Sequence, residues 1–557
     1  MGRFCFLAFA IVSGLAAQER QQARSMIVTR QGIVATSQTL ASQAGATVLA
    51  RGGSAIDAAI AANAVLGLVE PMMCGLGGDL FVIYYEAKTG KLYGYNGSGA
   101  AAKGMSVEAL QGKNFYTMPA KGIHTVTVPG AVEGWEALHK KFGRLPWRDV
   151  FQPAIYYSRE GFPVTEIIQW EWQNSESALR TDENARRIFL PKGQAPKVGE
   201  IFKNPELAKA YSILADGGAA SYYEGPIGQA LLATSKKLGG FLTAEDLASH
   251  RGEWVEPIST TYRGWRVWEL PPNGQGIGAL QMLNLFERFN LPKMDPLSAE
   301  ALHAKIESQK LAFQDLREYV GDPRFVKVPV TDLLDKEYAT QRAGLVTTDR
   351  ANCDTRAGTL KASGNTVYLA VVDREGNIAS WIQSVSDIWG SGVVVENMGF
   401  HLHDRGSGFV FEPKAANALK PGKRPFHTII PGFMERDSTK IGFGIMRGMN
   451  QAQAHAQFVS YVADHGANIQ MALEGARFTR RATAGCDVMI EGRVPADQIE
   501  KLRGWGHMVD LKGAYSGWMG GGQAVMLDTA TGVKYGGSSP RKDGAAIPEP
   551  DPYFGKR

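Results

Sequence analysis

Two hydrophobic periods share this chain, and each predicts its own elements. Residues 26–34 carry strand-type apolar residues and read as a first strand. Residues 41–51 follow helical spacing and stop at Gly52-Gly53, glycine being the common left-handed terminator. Ser54 and Asp57 then form a capping pair opening a second, alanine-rich helix to about Leu68. So many small side chains imply tight packing of that helix on a sheet. Cys74 to Asp79 is a glycine-rich loop with unusual backbone angles. Residues 81–85 and 92–95 alternate as a hairpin around Lys88-Thr89-Gly90-Lys91. The middle of the chain, about 129–345, is mostly helical in pattern and includes a long helix over 299–319. Residues 342–363 are polar and aperiodic and read as an exposed linker, a place that tolerates a chain break. Beyond it come two strands, 366–373 and 378–384, then a helix over 452–463 and a strand near 523–527. No internal repeat or heptad run interrupts this order. Strands, helices and strands again predict two sheets with helices outside.

Composition narrows the class. The 557 residues are 44% hydrophobic and 21% charged, which is globular and long enough for a large core. A net charge of +5, spread over 60 basic and 55 acidic residues, argues against a nucleic-acid partner. At the start, Arg3, the apolar run 4–12 and the small residues Gly14, Ala16 and Ala17 read as a signal peptide over 1–17. That run is too short for a permanent bilayer span, and no later stretch replaces it. The chain is therefore expected to be periplasmic or secreted, with no membrane span once the signal is removed. Four cysteines are present: Cys5, Cys74, Cys353 and Cys486. Three remain if Cys5 leaves with the signal, which allows at most one disulfide; Cys353 is expected to be an ordinary thiol.

The strand pair after the linker carries the candidate chemistry. With Glu375-Gly376 as the hairpin tip, Thr366 faces Val385; a one-residue change at the turn puts Ser384 or Ser386 opposite it. Cross-strand neighbours lie roughly 5 Å apart, so a second hydroxyl comes within reach of Thr366. A threonine hydroxyl is a weak nucleophile until a base takes its proton. A free α-amine, with a pKa of about 7.7–8, is such a base near neutral pH. Breaking the Asn365–Thr366 bond would place nucleophile and base on one residue. Taken alone, Thr366 is simply a residue favoured at the start of a strand.

Several ordered segments change that reading. They are Gly53-Ser54-Ala55-Ile56-Asp57-Ala58-Ala59, Val69-Glu70-Pro71 with Gly75-Leu76-Gly77-Gly78, and Thr127-Val128-Pro129-Gly130. Gly390 to Val394, Pro421 to Pro425 and Ser539 to Gly544 follow in order. Together with the Thr366 strand they resemble the gamma-glutamyltranspeptidase family of N-terminal nucleophile hydrolases over nearly all of the mature chain. The resemblance implies an α+β fold, the four-layer αββα sandwich. It implies a precursor that cuts itself into a large subunit, 18–365, and a small subunit, 366–557. The nucleophile would be Thr366, assisted by Ser384 where the family has a second threonine. Arg447 and Gly448 occupy the position of the paired glycines of the oxyanion hole. The head-group positions fall on Ser98, Ser386, His427 and Thr428, and all four depart from the family's residues. Ser98 stands where an arginine grips a carboxylate, and serine cannot form that cationic clamp. Gly408 stands where an acidic residue holds the substrate ammonium. The expected reaction is amide hydrolysis or acyl transfer through an acyl-enzyme on a small-molecule γ-glutamyl or related dicarboxylic amide. Water or an amine would accept the acyl group, and no cofactor or metal is expected. His427, Arg447 and Arg405 are candidates to bind an acid of a different length. The alternative is a catalytically silent relative, exported as a binding or structural protein.

Three other patterns compete weakly. His401 and His403 are half of a metal site at most, without a matching ligand cluster. Gly274-Gln275-Gly276-Ile277-Gly278 resembles a dinucleotide loop with its third glycine misplaced. Ser539 and Lys542 have a serine–lysine spacing in a proline-bearing loop. Trp381 and Trp389 are expected in the core or in pocket walls.

Overall fold

The computed structural model describes residues 22–354, 365–480 and 485–554. The expected signal peptide and the last part of the linker lie outside the described residues. Two seven-stranded sheets form the centre. The first runs Ala545–Pro548, Ile33–Thr36, Asn365–Val372, Ile378–Ser386, Asp79–Glu86, Lys91–Gly97 and Glu253–Val255. The second runs Ile27–Thr29, Lys534–Ser538, Gly522–Asp528, Thr439–Ile445, Gly432–Arg436, Trp265–Glu269 and Ile258–Tyr262.

The strand Asn365–Val372 shows why the sheets stack. Its side chains alternate between faces. Tyr368, Ala370 and Val372 join Phe433, Val525 and Leu527 between the sheets. Val367, Leu369 and Val371 join the helix Ala55–Val69 on the outer face. That helix is buried along its whole length, which its alanines permit, and the Ser54–Asp57 capping box is formed. On the far side, Gly276–Phe286 and Asn450–His465 pack on the second sheet through Ile277, Leu280, Phe443 and Phe458. Helix, sheet, sheet and helix thus give the expected αββα order.

Several predicted elements are corrected. Residues 26–34 are not one strand: the chain turns at Arg30–Gly32, and its two halves enter different sheets. The largely helical middle also contributes Glu253–Val255, Ile258–Tyr262 and Trp265–Glu269 to the sheet edges. Cys353 is not a free thiol; it is joined to Cys486, 133 residues away, while Cys74 is free and buried. The Thr366 hairpin turns over three residues, with Asp373 opposite Asn377 and Gly376 at φ +90°. Both expected subunits contribute strands to each sheet, so the large and small parts are woven together. Among the described residues no helix is long and apolar enough to cross a membrane.

Candidate active site

Register brings the two hydroxyl residues together. Val372 pairs with Ile378 and Val367 with Gln383, a spacing that continued unbroken would set Thr366 opposite Ser384. A bulge then shifts the ladder, so Asn365 pairs with Ser386. Ser384 Oγ accepts the backbone N–H of Ser386 at 2.7 Å, and Ser386 sits at φ +78°, unusual for a residue with a Cβ. The Gly75–Gly78 loop fits against this strand. Gln383 bonds Gly75 through both ends of its amide, at 2.9 and 2.6 Å. A Cβ on Gly78 would lie 2.5 Å from the Ser384 carbonyl oxygen, so only glycine fits.

Thr366 is buried at the wall of a small, partly open pocket. Its Oγ1 accepts a hydrogen bond from Gln451 Nε2 at 3.3 Å. Gln451 Oε1 in turn accepts the N–H of Ile430 at 3.1 Å, which fixes the amide orientation. Arg447 lines the same pocket, with Met73, Met446, Glu171 and Lys542. Lys542 Nζ lies 2.6 Å from Glu171 and 3.3 Å from Glu70, so it is a paired cation rather than the base of a serine–lysine dyad. Gly448 follows Arg447, and both have positive φ, +89° and +50°. The guanidinium of Arg447 stacks over Trp518, 4.3 Å from its ring centre. Backbone N–H groups in such a paired left-handed turn suit an anion. Replacing Arg447 with glycine keeps both N–H donors and removes a strained φ. We expect Arg447→Gly to hold amide turnover within about tenfold of the parent; loss of turnover in a steady-state assay would show that the guanidinium itself is needed.

Ser98, His427 and Thr428 gather in a separate buried network beside this loop. Ser98 Oγ donates to Asn96 Oδ1 at 2.6 Å and accepts from Asn273 Nδ2 at 3.3 Å. His427 Nε2 lies 3.0 Å from Asp79 Oδ2. Burial, with Arg405 nearby, keeps its imidazole well below the usual histidine range, hence neutral. Thr428 Oγ1 accepts from Arg405 Nη1 at 2.9 Å. Gln275 Nε2 donates to the carbonyls of Thr428, at 2.5 Å, and Gly448, at 2.8 Å. One amide thus joins the Thr428 network to the Arg447–Gly448 loop. The dinucleotide-like glycine segment therefore serves as this bridge.

Burial pushes the Asp79 carboxyl up to about 7, against the pull of Arg405. The folded chain therefore holds this proton between about pH 4 and 7, while the unfolded chain releases it. Stability from this group is complete below about pH 4 and is lost as pH rises through 7. Denaturant titrations of the parent and Asp79→Asn should show the variant gaining relative stability across that window; parallel pH curves would contradict it.

Gln451, Asp79, Gln275, Glu171 and Lys542 were not expected at the site from sequence. His401 and His403 do not converge on one point: His401 Nε2 lies 2.5 Å from the Pro71 carbonyl, and His403 faces Thr127 at 3.5 Å. Among the described residues, His303, Glu307 and His507 do lie close enough to share an ion. The two imidazoles bond each other at 2.8 Å and Glu307 pairs with Lys310 at 2.6 Å, so each already has a protein partner.

Comparison with known proteins decides the family. The gamma-glutamyltranspeptidase family model matches residues 41–549. The chain belongs to the gamma-glutamyltranspeptidase family. It is similar to the glutathione hydrolase-like YwrD proenzyme of Bacillus subtilis, 36% identical over 94% of this chain and 99% of that protein. It is also similar to the oxamate amidohydrolase proenzyme of Klebsiella pneumoniae, 33% identical over 93% of this chain and 98% of that one. The crystal structure of cephalosporin acylase from Bacillus halodurans superposes with a TM-score of 0.88 at 40% identity, covering 97% and 99% of the two chains. Within this gamma-glutamyltranspeptidase-family enzyme, the amidohydrolase and acylase relatives support a self-processing amidohydrolase of the N-terminal nucleophile class.

Proposed function

We propose that this enzyme cuts itself between Asn365 and Thr366 and then hydrolyses or transfers dicarboxylic acyl groups from small-molecule amides. The observation that carries the reading is Thr366 itself. It is buried beside a pocket, held by Gln451, and adjoins a turn of two consecutive left-handed residues. In maturation, the Thr366 hydroxyl attacks the Asn365 carbonyl carbon, and the peptide C–N bond breaks to leave an ester. Water cleaves the ester, giving the Asn365 carboxylate and the free Thr366 amine. In turnover, that amine takes the hydroxyl proton as Oγ1 attacks the substrate carbonyl. The Arg447 and Gly448 N–H groups receive the developing oxyanion. The proton passes to the leaving amine, and water or a second amine then releases the acyl group from Thr366. Ser384 orients Oγ1 from the neighbouring strand.

The acyl group is inferred to carry a carboxylate, γ-glutamyl or a relative of it. Arg405 supports this. Its side chain is buried and still charged, with burial lowering its pKa to about 10, yet its Nε and Nη2 groups have no hydrogen-bond partner. A buried guanidinium with open donors favours an anion. The neighbours Ser98, Ser386, His427 and Thr428 would shape the rest of the head-group site. Export to the periplasm or medium accords with the Cys353–Cys486 disulfide, since such bonds persist in oxidising compartments. The test is a panel of glutaryl, γ-glutamyl and butyryl anilides on the processed protein. Acids should be preferred by roughly 10²-fold in kcat/KM; equal rates for butyryl would remove the dicarboxylic reading.

A further inference from the structure

We infer that self-cleavage does not release two separate chains: the Cys353–Cys486 disulfide joins the large fragment to the small one. The inference rests on the proposed cut at Asn365–Thr366. Cys353 stands before that bond and Cys486 after it, at a sequence separation of 133. The disulfide therefore closes a loop that contains the scissile peptide. Once that peptide is hydrolysed, the loop opens and the disulfide becomes an inter-chain link. Cys5 belongs to the expected signal peptide and Cys74 is buried in the core, so neither competes for the pair.

The local structure seats this link on both fragments. Upstream of the cut, Ala351 N–H donates to the Trp505 carbonyl at 2.7 Å, and the Asn352 carbonyl accepts from Lys310 Nζ at 2.9 Å. Lys310 also lies 3.6 Å from Cys486 Sγ, and the Cys486 carbonyl accepts the N–H of Met508 at 2.8 Å. Residues 351–353 are thus held against the sheet that contains Asp487–Glu491 and Met508–Lys512. Cys353 is exposed while Cys486 is buried, so a small dithiol can reach the bond without unfolding the protein.

The consequence appears on unfolding rather than in the native state. Natively, the strands of the two fragments pair in both sheets, for example Ile378–Ser386 with Asp79–Glu86 and Gly432–Arg436 with Trp265–Glu269. After denaturation two free chains must meet again, and their recovery depends on concentration. A covalent link makes that step intramolecular. Reduction by a dithiol, which supplies two electrons and two protons to give two thiols, removes this advantage.

The experiment alkylates the purified protein, then runs it denatured with and without dithiothreitol. The expected result is one band at precursor mass without reductant and two bands with it. Cys353→Ser should give two bands in both lanes. Recovery of activity after denaturation should not depend on dilution for the parent, while the initial rate per molecule for Cys353→Ser should fall about tenfold on tenfold dilution. Two bands from the parent without reductant would overturn the link. One band in both lanes would instead sink the cleavage reading. Alkylation mass then still reports on the pair: two additional modified thiols after reduction mark the disulfide, and equal counts refute it.

Discussion

Thr366→Ala should leave the chain uncut and reduce amide turnover by roughly 10⁴-fold or more. The size follows from one side chain serving twice. Without Oγ1 the Asn365 carbonyl has no internal nucleophile, so the α-amine that would act as base is never freed. Restoring the missing N-terminus does not rescue the variant, since alanine carries no hydroxyl to acylate. Thr366→Ser provides the control. It keeps the oxygen, loses only the methyl group, and should still cut itself, more slowly. A reducing gel over a time course, with anilide hydrolysis on the same samples, reads both steps. Normal fragments from Thr366→Ala would contradict the mechanism at its first step.

The second large effect concerns Arg405. Arg405→Gln should lower kcat/KM for a glutaryl or γ-glutamyl amide by roughly 10²-fold and leave a butyryl amide near its parental rate. The reasoning begins with what the residue lacks. Nη1 bonds Thr428, whereas Nε and Nη2 are buried without partners. Asp79 is near enough to influence Arg405 but is bonded to His427 and to the Gly130 N–H, at 3.0 Å each. A substrate carboxylate would supply the missing acceptors. Glutamine removes the charge and, being two bonds shorter, also gives up the Thr428 bond, a structural loss that both acyl classes share. The discriminating readout is the ratio between acidic and neutral acyl groups. A uniform fall on both would assign Arg405 to structure alone.

Much of the fold follows from local patterns. The Ser54–Asp57 cap, the helix Ala299–Tyr319, the hairpin Asp79–Glu86 with Lys91–Gly97 and the helix Asn450–His465 all arise from short-range periodicity and turn chemistry. The split of residues 26–34 was hidden because both halves are apolar, and only the sheet partners distinguish them. The edge strands 253–269 lie in a region whose surrounding periodicity is helical. Non-local chemistry was harder still. Cys353 and Cys486 have no spacing signature, because a disulfide depends on proximity in space rather than along the chain.

The site divides along the same line. One hairpin puts either Ser384 or Ser386 within reach of Thr366, but its sequence does not choose between them, and the bulge that sets the final alignment has no sequence signal. Gln451 is an ordinary polar residue on a helix until the second sheet brings it to Thr366. Ser98, His427 and Thr428 came from resemblance, and the structure shows them tied into protein hydrogen bonds. The two open donors that favour Arg405 as the acid-binding residue are a property of the folded chain and have no counterpart in the sequence pattern.

The most direct measurement is N-terminal sequencing of the small fragment, isolated under reducing conditions from protein matured in an oxidising compartment. The account predicts a sequence beginning Thr366-Val367-Tyr368. An intact chain, or a fragment beginning at any other residue, would contradict it.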